Sequence, residues 1–79
     1  MDIRVVFARN LKHYRQACGL TQAALAAAME VDRAHVSAME RGQQNVTLQT
    51  LQRVAAHLDV APAKLIEERA EGDVRSRKP

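Results

Sequence analysis

Aromatic side chains are almost missing from this sequence, which has Phe7, Tyr14 and no tryptophan among its 79 residues. The core therefore has to come from Leu, Val, Ile, Met and Ala. That set suits close-packed helices better than strands, which favour aromatic and β-branched residues. A lone cysteine, Cys18, excludes an internal disulfide and a cysteine-based zinc site, and it is expected as a small buried or half-buried apolar residue. No apolar run reaches the ~20 residues of a membrane span, and Met1 to Phe7 lacks the apolar stretch of a signal peptide. A soluble cytoplasmic protein with no membrane partner is expected. None of the three glycines belongs to a phosphate-cradling loop or a nucleophile turn, and no paired carboxylates stand out. These absences argue against an enzyme. His13, His35 and His57 fall on three different predicted helices without ligand spacing, so no metal or other cofactor is expected.

Apolar residues make up 47% of the chain, and they recur with a helical period. A chain this short supports one modest core, expected over residues 1–69, and a second copy burying more surface would help to stabilise it. In the first helix Ile3, Phe7, Leu11 and Tyr14 share a face, and Gly19 supplies the left-handed stop. Thr21 caps a second helix with Leu25, Ala26 and Met29 turned inward. Asp32 caps a third, in which Val36 and Met39 point inward while Arg33, Ala34, Ser37 and Ala38 face out, and Gly42 ends it. Thr47 caps a fourth helix with Leu48, Leu51, Val54, Ala55 and Leu58 on one face. Pro62 suits the first turn of a fifth helix that runs to about Arg69. Residues 70–79 are polar and aperiodic, and a disordered tail is expected there.

The second and third predicted helices are separated by about three residues around Glu30, so they must cross sharply and present the third on the surface. That is helix-turn-helix geometry, over about 21–41, with the fourth and fifth helices over about 47–69. A net charge of +3 permits a polyanionic partner without demanding one. Residues 1–68 hold eight basic and seven acidic side chains, so any affinity for nucleic acid depends on where the charges sit.

Several short pieces stand in a telling order: Leu11-Lys12-His13-Tyr14-Arg15, Gly19-Leu20-Thr21-Gln22, Leu25-Ala26, Val31-Asp32-Arg33 through Val36-Ser37, Met39-Glu40-Arg41-Gly42, and Thr47-Leu48. In that order and spacing, from Phe7 to Leu65, the chain resembles the XRE family of phage repressor and Cro-type regulators. It is also similar to the short controller proteins of restriction-modification operons. The resemblance implies an all-α, five-helix lambda-repressor-like DNA-binding domain. It further implies a sequence-specific transcriptional regulator that binds double-stranded DNA at a short palindromic operator. Separately, the apolar residues Val60, Leu65 and Ile66 near the end are more than a small five-helix core covers, so a homodimer through the fourth and fifth helices is expected, and RNA polymerase is expected as a further contact.

Residue by residue, the resemblance puts Arg33, Ala34 and Ala38 at base edges, flanked by His35 and Ser37. It puts Gln22, Arg41, Gln43, Gln44 and Asn45 on the sugar-phosphate backbone, and pairs Arg15 with Glu40 as a structural ion pair. Arg33 is the strongest reader, because a guanidinium takes guanine O6 and N7 together. The chain departs from the family at the sharp turn, where Glu30 replaces the usual glycine. A rival reading remains: the same fold used as a protein-interaction or antitoxin-like module.

Overall fold

Asp2, Thr21 and Thr47 each accept a hydrogen bond from a backbone N–H of a first helical turn, at Arg4, Ala24 and Thr50, all at 3.0 Å. These bonds satisfy donors that a helix cannot satisfy itself. In the computed structural model, which describes residues 1–69, they open α1 (Ile3–Ala17), α2 (Gln22–Met29) and α4 (Leu48–Leu58). Helix α3 (Arg33–Glu40) follows α2, and α5 (Pro62–Leu65) follows α4. The described residues contain no strand, and the five-helix, all-α expectation is borne out. Asp32 takes the cap position of α3, yet its side chain makes no capping hydrogen bond. The expected disordered tail, 70–79, lies outside the described residues.

Two helices end on glycines in the left-handed region, Gly19 at φ +74° and Gly42 at φ +73°. The other two left-handed positions carry side chains, Glu30 at φ +60° and Asp59 at φ +56°. Aspartate tolerates this region better than glutamate, and a Cβ there costs roughly 1–2 kcal/mol. Glycine removes that strain but loses more entropy on folding, roughly 0.5–1 kcal/mol. Glu30→Gly should therefore stabilise by up to about 1 kcal/mol, which raises the melting midpoint by about 4–8 °C per kcal/mol in a domain this small. Calorimetry showing a lower midpoint would mean that Glu30 makes a contact worth more than its strain.

Helix α2 packs chiefly on α3, α3 on α1, and α4 on α5, with one core between them. Phe7, Leu11, Leu25, Met29, Val36, Met39, Val54, Leu58 and Leu65 form its centre. Three expected positions differ. Ile3 is 49% exposed and Leu48 82% exposed, each at the first position of its helix. Cys18 is exposed too: it is the cap residue at the surface end of α1, with its Sγ 3.6 Å from the Leu58 carbonyl.

The fifth helix is also shorter than expected, ending at Leu65 instead of about Arg69. Asn10, buried on α1, explains the stop. Its Nδ2 donates to the carbonyls of Leu65 at 3.0 Å and Glu67 at 2.9 Å, tying this segment to α1. A carbonyl held this way no longer needs a helical N–H four residues on. Arg53 of α4 similarly donates to the Met29 carbonyl at the end of α2, beside the strained turn. A cation suits that helix terminus, where carbonyl dipoles accumulate.

Candidate nucleic-acid interface

The connection between α2 and α3 is three residues, Glu30, Val31 and Asp32. Glu30 reverses the chain, and its N–H and that of Val31 return to the carbonyls of Ala27 and Ala26 at 3.1 and 3.0 Å. Val36 and Met39 then root α3 in the core, at 0% and 1% exposure. The opposite side of α3 is left to solvent. Arg33 and Ala34 are exposed in its first turn, Ser37 is half-buried one turn on, and exposed Arg41 follows at the cap. No ion pair among the described residues involves Arg33.

Two side chains expected near base edges sit differently. Ala38 is buried at 9% exposure, whereas the sequence places it facing out. At 3.6 residues per turn it falls about 40° past Ala34 toward the packed side, and a methyl group is too short to reach back. His35 is half-buried on the flank of the helix. The outer side of α3 therefore carries exposed Arg33 and Ala34 and half-buried Ser37, with exposed Arg41 beyond them.

Behind this face lies a buried polar clamp. Arg15 of α1 holds Glu40 of α3 with two hydrogen bonds, Nε to Oε2 at 2.6 Å and Nη2 to Oε1 at 3.0 Å. Its third bond, from Nη1, goes to the Leu20 carbonyl at 2.7 Å. The two side chains are 9% and 5% exposed. Hydrogen bonding to Glu40 raises the affinity of the Arg15 guanidinium for its proton above the ordinary value, against the opposing effect of burial.

Gln22, at the start of α2, joins the same clamp: its Nε2 donates to Glu40 Oε1 at 3.0 Å. One amide hydrogen is thus committed inside the protein, and the second can still reach an anion at the helix N-terminus. The amide bond ties the start of α2 to the end of α3, and the ion pair ties α1 to that same end, so the angle between α2 and α3 does not depend on apolar packing alone.

After α3, Arg41, Gln43 and Asn45 are exposed. Gln44 is half-buried and lines a shallow recess with Ile3, Phe7, Val46 and Ile66. Arg33, Ala34, Arg41, Gln43 and Asn45 are thus exposed along α3 and its following loop, with Ser37 half-buried between them, while Ala38 and Gln44 turn toward the protein. Sequence reading missed Asn10 and Arg53, both of which act by pairing with backbone carbonyls. The signal for Asn10 was a polar residue inside the apolar period between Phe7 and Leu11; nothing local marks Arg53.

The helix-turn-helix family HTH_3 matches residues 11–65. Among curated proteins, the Neisseria hypothetical transcription factor of Neisseria meningitidis serogroup B is 38% identical over 65 residues, covering 82% of this chain and 61% of that protein. The chain thus spans less than two thirds of that relative. Control protein C.SmaI of Serratia marcescens is 36% identical over 66 residues, covering 84% of this chain and 79% of that one.

Among solved structures, the hypothetical transcription factor NHTF from Neisseria superposes with a TM-score of 0.83 at 37% identity, over 90% of this chain and 82% of that one. The restriction-modification controller protein C.AhdI from Aeromonas hydrophila does so with 0.74 at 40% identity, over 78% and 94%. FeII HppE in complex with substrate matches with 0.76 at 32% identity over 78% of this chain, but over 36% of its own.

Proposed function

Because the chain belongs to the helix-turn-helix family HTH_3, a family of DNA-binding regulators, we propose that it binds a short, roughly palindromic operator as a homodimer and regulates a promoter without catalytic activity. The observation that carries this reading is the exposed side of α3, where Arg33 projects with no ion-pair partner among the described residues. A helix so rooted fits a major groove about 12 Å wide, and an arginine there takes a guanine edge in two parallel hydrogen bonds. Ala34 and Ser37 complete the face with a methyl and a hydroxyl. Gln22, Gln43 and Asn45 supply donors to phosphates, which position the protein without reading bases.

Arg33→Ala should weaken binding to the operator by about 1–3 kcal/mol and relax preference at one base pair per half-site. Fluorescence anisotropy on labelled duplexes measures both. Unchanged operator binding, together with capture of a protein partner, would favour the interaction-module reading instead.

Exposed Leu48 on α4 and partly exposed Ile66 directly after α5 support the homodimer, since both are apolar and neither is fully covered among the described residues. Pairing α4 and α5 about a two-fold axis would set two recognition helices about 34 Å apart, one turn of DNA. Leu48→Asp should then shift sedimentation from dimer to monomer at micromolar concentration. A wild-type protein that sediments as a monomer there removes the dimer.

Controller proteins among the relatives favour a restriction-modification operon as the regulated locus, with the chain acting on the DNA upstream of its own gene, in the cytoplasm on the nucleoid and in contact with RNA polymerase. A footprint on that upstream DNA is the expected result.

A further inference from the structure

From the hydrogen bonding of Arg41 we infer that this residue is a second base reader, a specificity-determining guanidinium at the far end of α3, and not a contact to the sugar-phosphate backbone. The inference rests on the DNA-binding reading above.

Its place just after the helix suggests a backbone contact, but its side chain runs the other way. Long side chains at a helix end lean back over the preceding turn, and Arg41 does so: its Nη1 donates to Ser37 Oγ at 2.9 Å. Its Nε donates to Gln43 Oε1 at 3.2 Å. The guanidinium is therefore laid back over the last turn of α3 beside Ser37, which lies four residues before it and four after Arg33. Such positions share one helix face.

A guanidinium has five N–H donors, and these two bonds use one from Nε and one from Nη1. The remaining hydrogens of Nη1 and Nη2 form the end-on fork that matches guanine O6 and N7. No ion pair among the described residues draws Arg41 away.

The two arginines then differ in preparation. Arg33 makes no side-chain hydrogen bond among the described residues, so it must become ordered on binding. Arg41 is held before DNA arrives, and a preordered fork loses less conformational entropy on contact. Ser37 acts here as a positioning residue, because its hydroxyl holds the guanidinium as well as facing the groove. The chemistry read is a guanine edge, one turn of α3 or more beyond the base pair that Arg33 reads.

The test is binding-site selection from a random duplex library with the full chain and four variants: Arg33→Ala, Arg41→Ala, Arg41→Lys and Ser37→Ala. Wild-type protein should enrich two separate guanine positions per half-site. Arg33→Ala should erase one and Arg41→Ala the other, lowering discrimination at that position about 5- to 150-fold. Arg41→Lys keeps the charge without the fork, so it should lose the same position while retaining affinity for non-specific DNA. Ser37→Ala should blur the Arg41 position and leave the Arg33 position sharp.

Arg41→Ala and Arg41→Lys that keep the full sequence preference overturn the inference. In that case Arg41→Ala would weaken every duplex equally and lower the salt slope by about one, the signature of a phosphate contact. Failure of the functional reading itself looks different, because wild-type protein would then enrich no sequence at all. Thermal melting of the two Arg41 variants near the wild-type midpoint confirms that the folded domain is being compared.

Discussion

Glu40→Ala should lower the unfolding free energy by about 3–5 kcal/mol, a drop of at least about 12 °C in melting midpoint for a domain of this size. Glu40 holds Arg15 through two hydrogen bonds and Gln22 through a third, with both members of the ion pair nearly sealed from water. Removing the carboxylate leaves a buried guanidinium with only the Leu20 carbonyl. The desolvation penalty of that cation then has little to offset it. Arg15→Met combined with Glu40→Leu should recover most of the loss, since replacing both members of a buried pair by apolar groups is often neutral. Chemical denaturation of the single and double variants gives the coupling directly. A single variant within about 1 kcal/mol of wild type would show that water reaches the clamp freely.

The Asn10 side chain carries the second large effect. Asn10→Ala should cost about 2–3 kcal/mol, because the Leu65 carbonyl loses its partner in the interior and the Glu67 carbonyl loses its own nearby. Asn10→Asp preserves the shape but turns a donor into an acceptor facing two carbonyl oxygens, so at neutral pH it should be at least as destabilising. Acidification should restore part of that loss, since a protonated carboxyl can donate one of the two hydrogen bonds. Burial among carbonyls disfavours the charged form, so in this variant the folded state binds its proton more tightly than the unfolded chain does. The restored stability is therefore fully present below the unfolded carboxyl range and fades as pH rises through the folded one. A variant that melts at the same temperature at every pH would show that the segment after α5 does not depend on this anchor.

Asn10 also marks the limit of what local periodicity encodes. The apolar period through Phe7 and Leu11 identifies α1 and its inner face, but an amide on that face looks like an interruption until the Leu65 carbonyl arrives from 55 residues away. Helix α5 is shorter than its sequence predicts for the same reason, as its end coincides with the Asn10 anchor and not with a local stop signal. Arg53 is an exposed cation by sequence, and only the crossing of α4 beside α2 gives it the Met29 carbonyl. For α3, the spacing of Val36 and Met39 identifies the buried side correctly. Ala38, at the margin of that side, depends on how closely neighbouring helices approach.

Local chemistry alone settled the presence and order of the five helices, the threonine caps of α2 and α4, the glycine stops after α1 and α3, and the short turn between α2 and α3. Each of these depends on interactions within a few residues, which spacing and side-chain type encode directly. Tertiary structure decided which polar groups pair between helices, as Arg15 does with Glu40, Asn10 with the Leu65 carbonyl and Arg53 with the Met29 carbonyl, and where α5 ends. Those outcomes hinge on carbonyls and side chains brought together by helix crossing, and no periodicity along one helix contains that information.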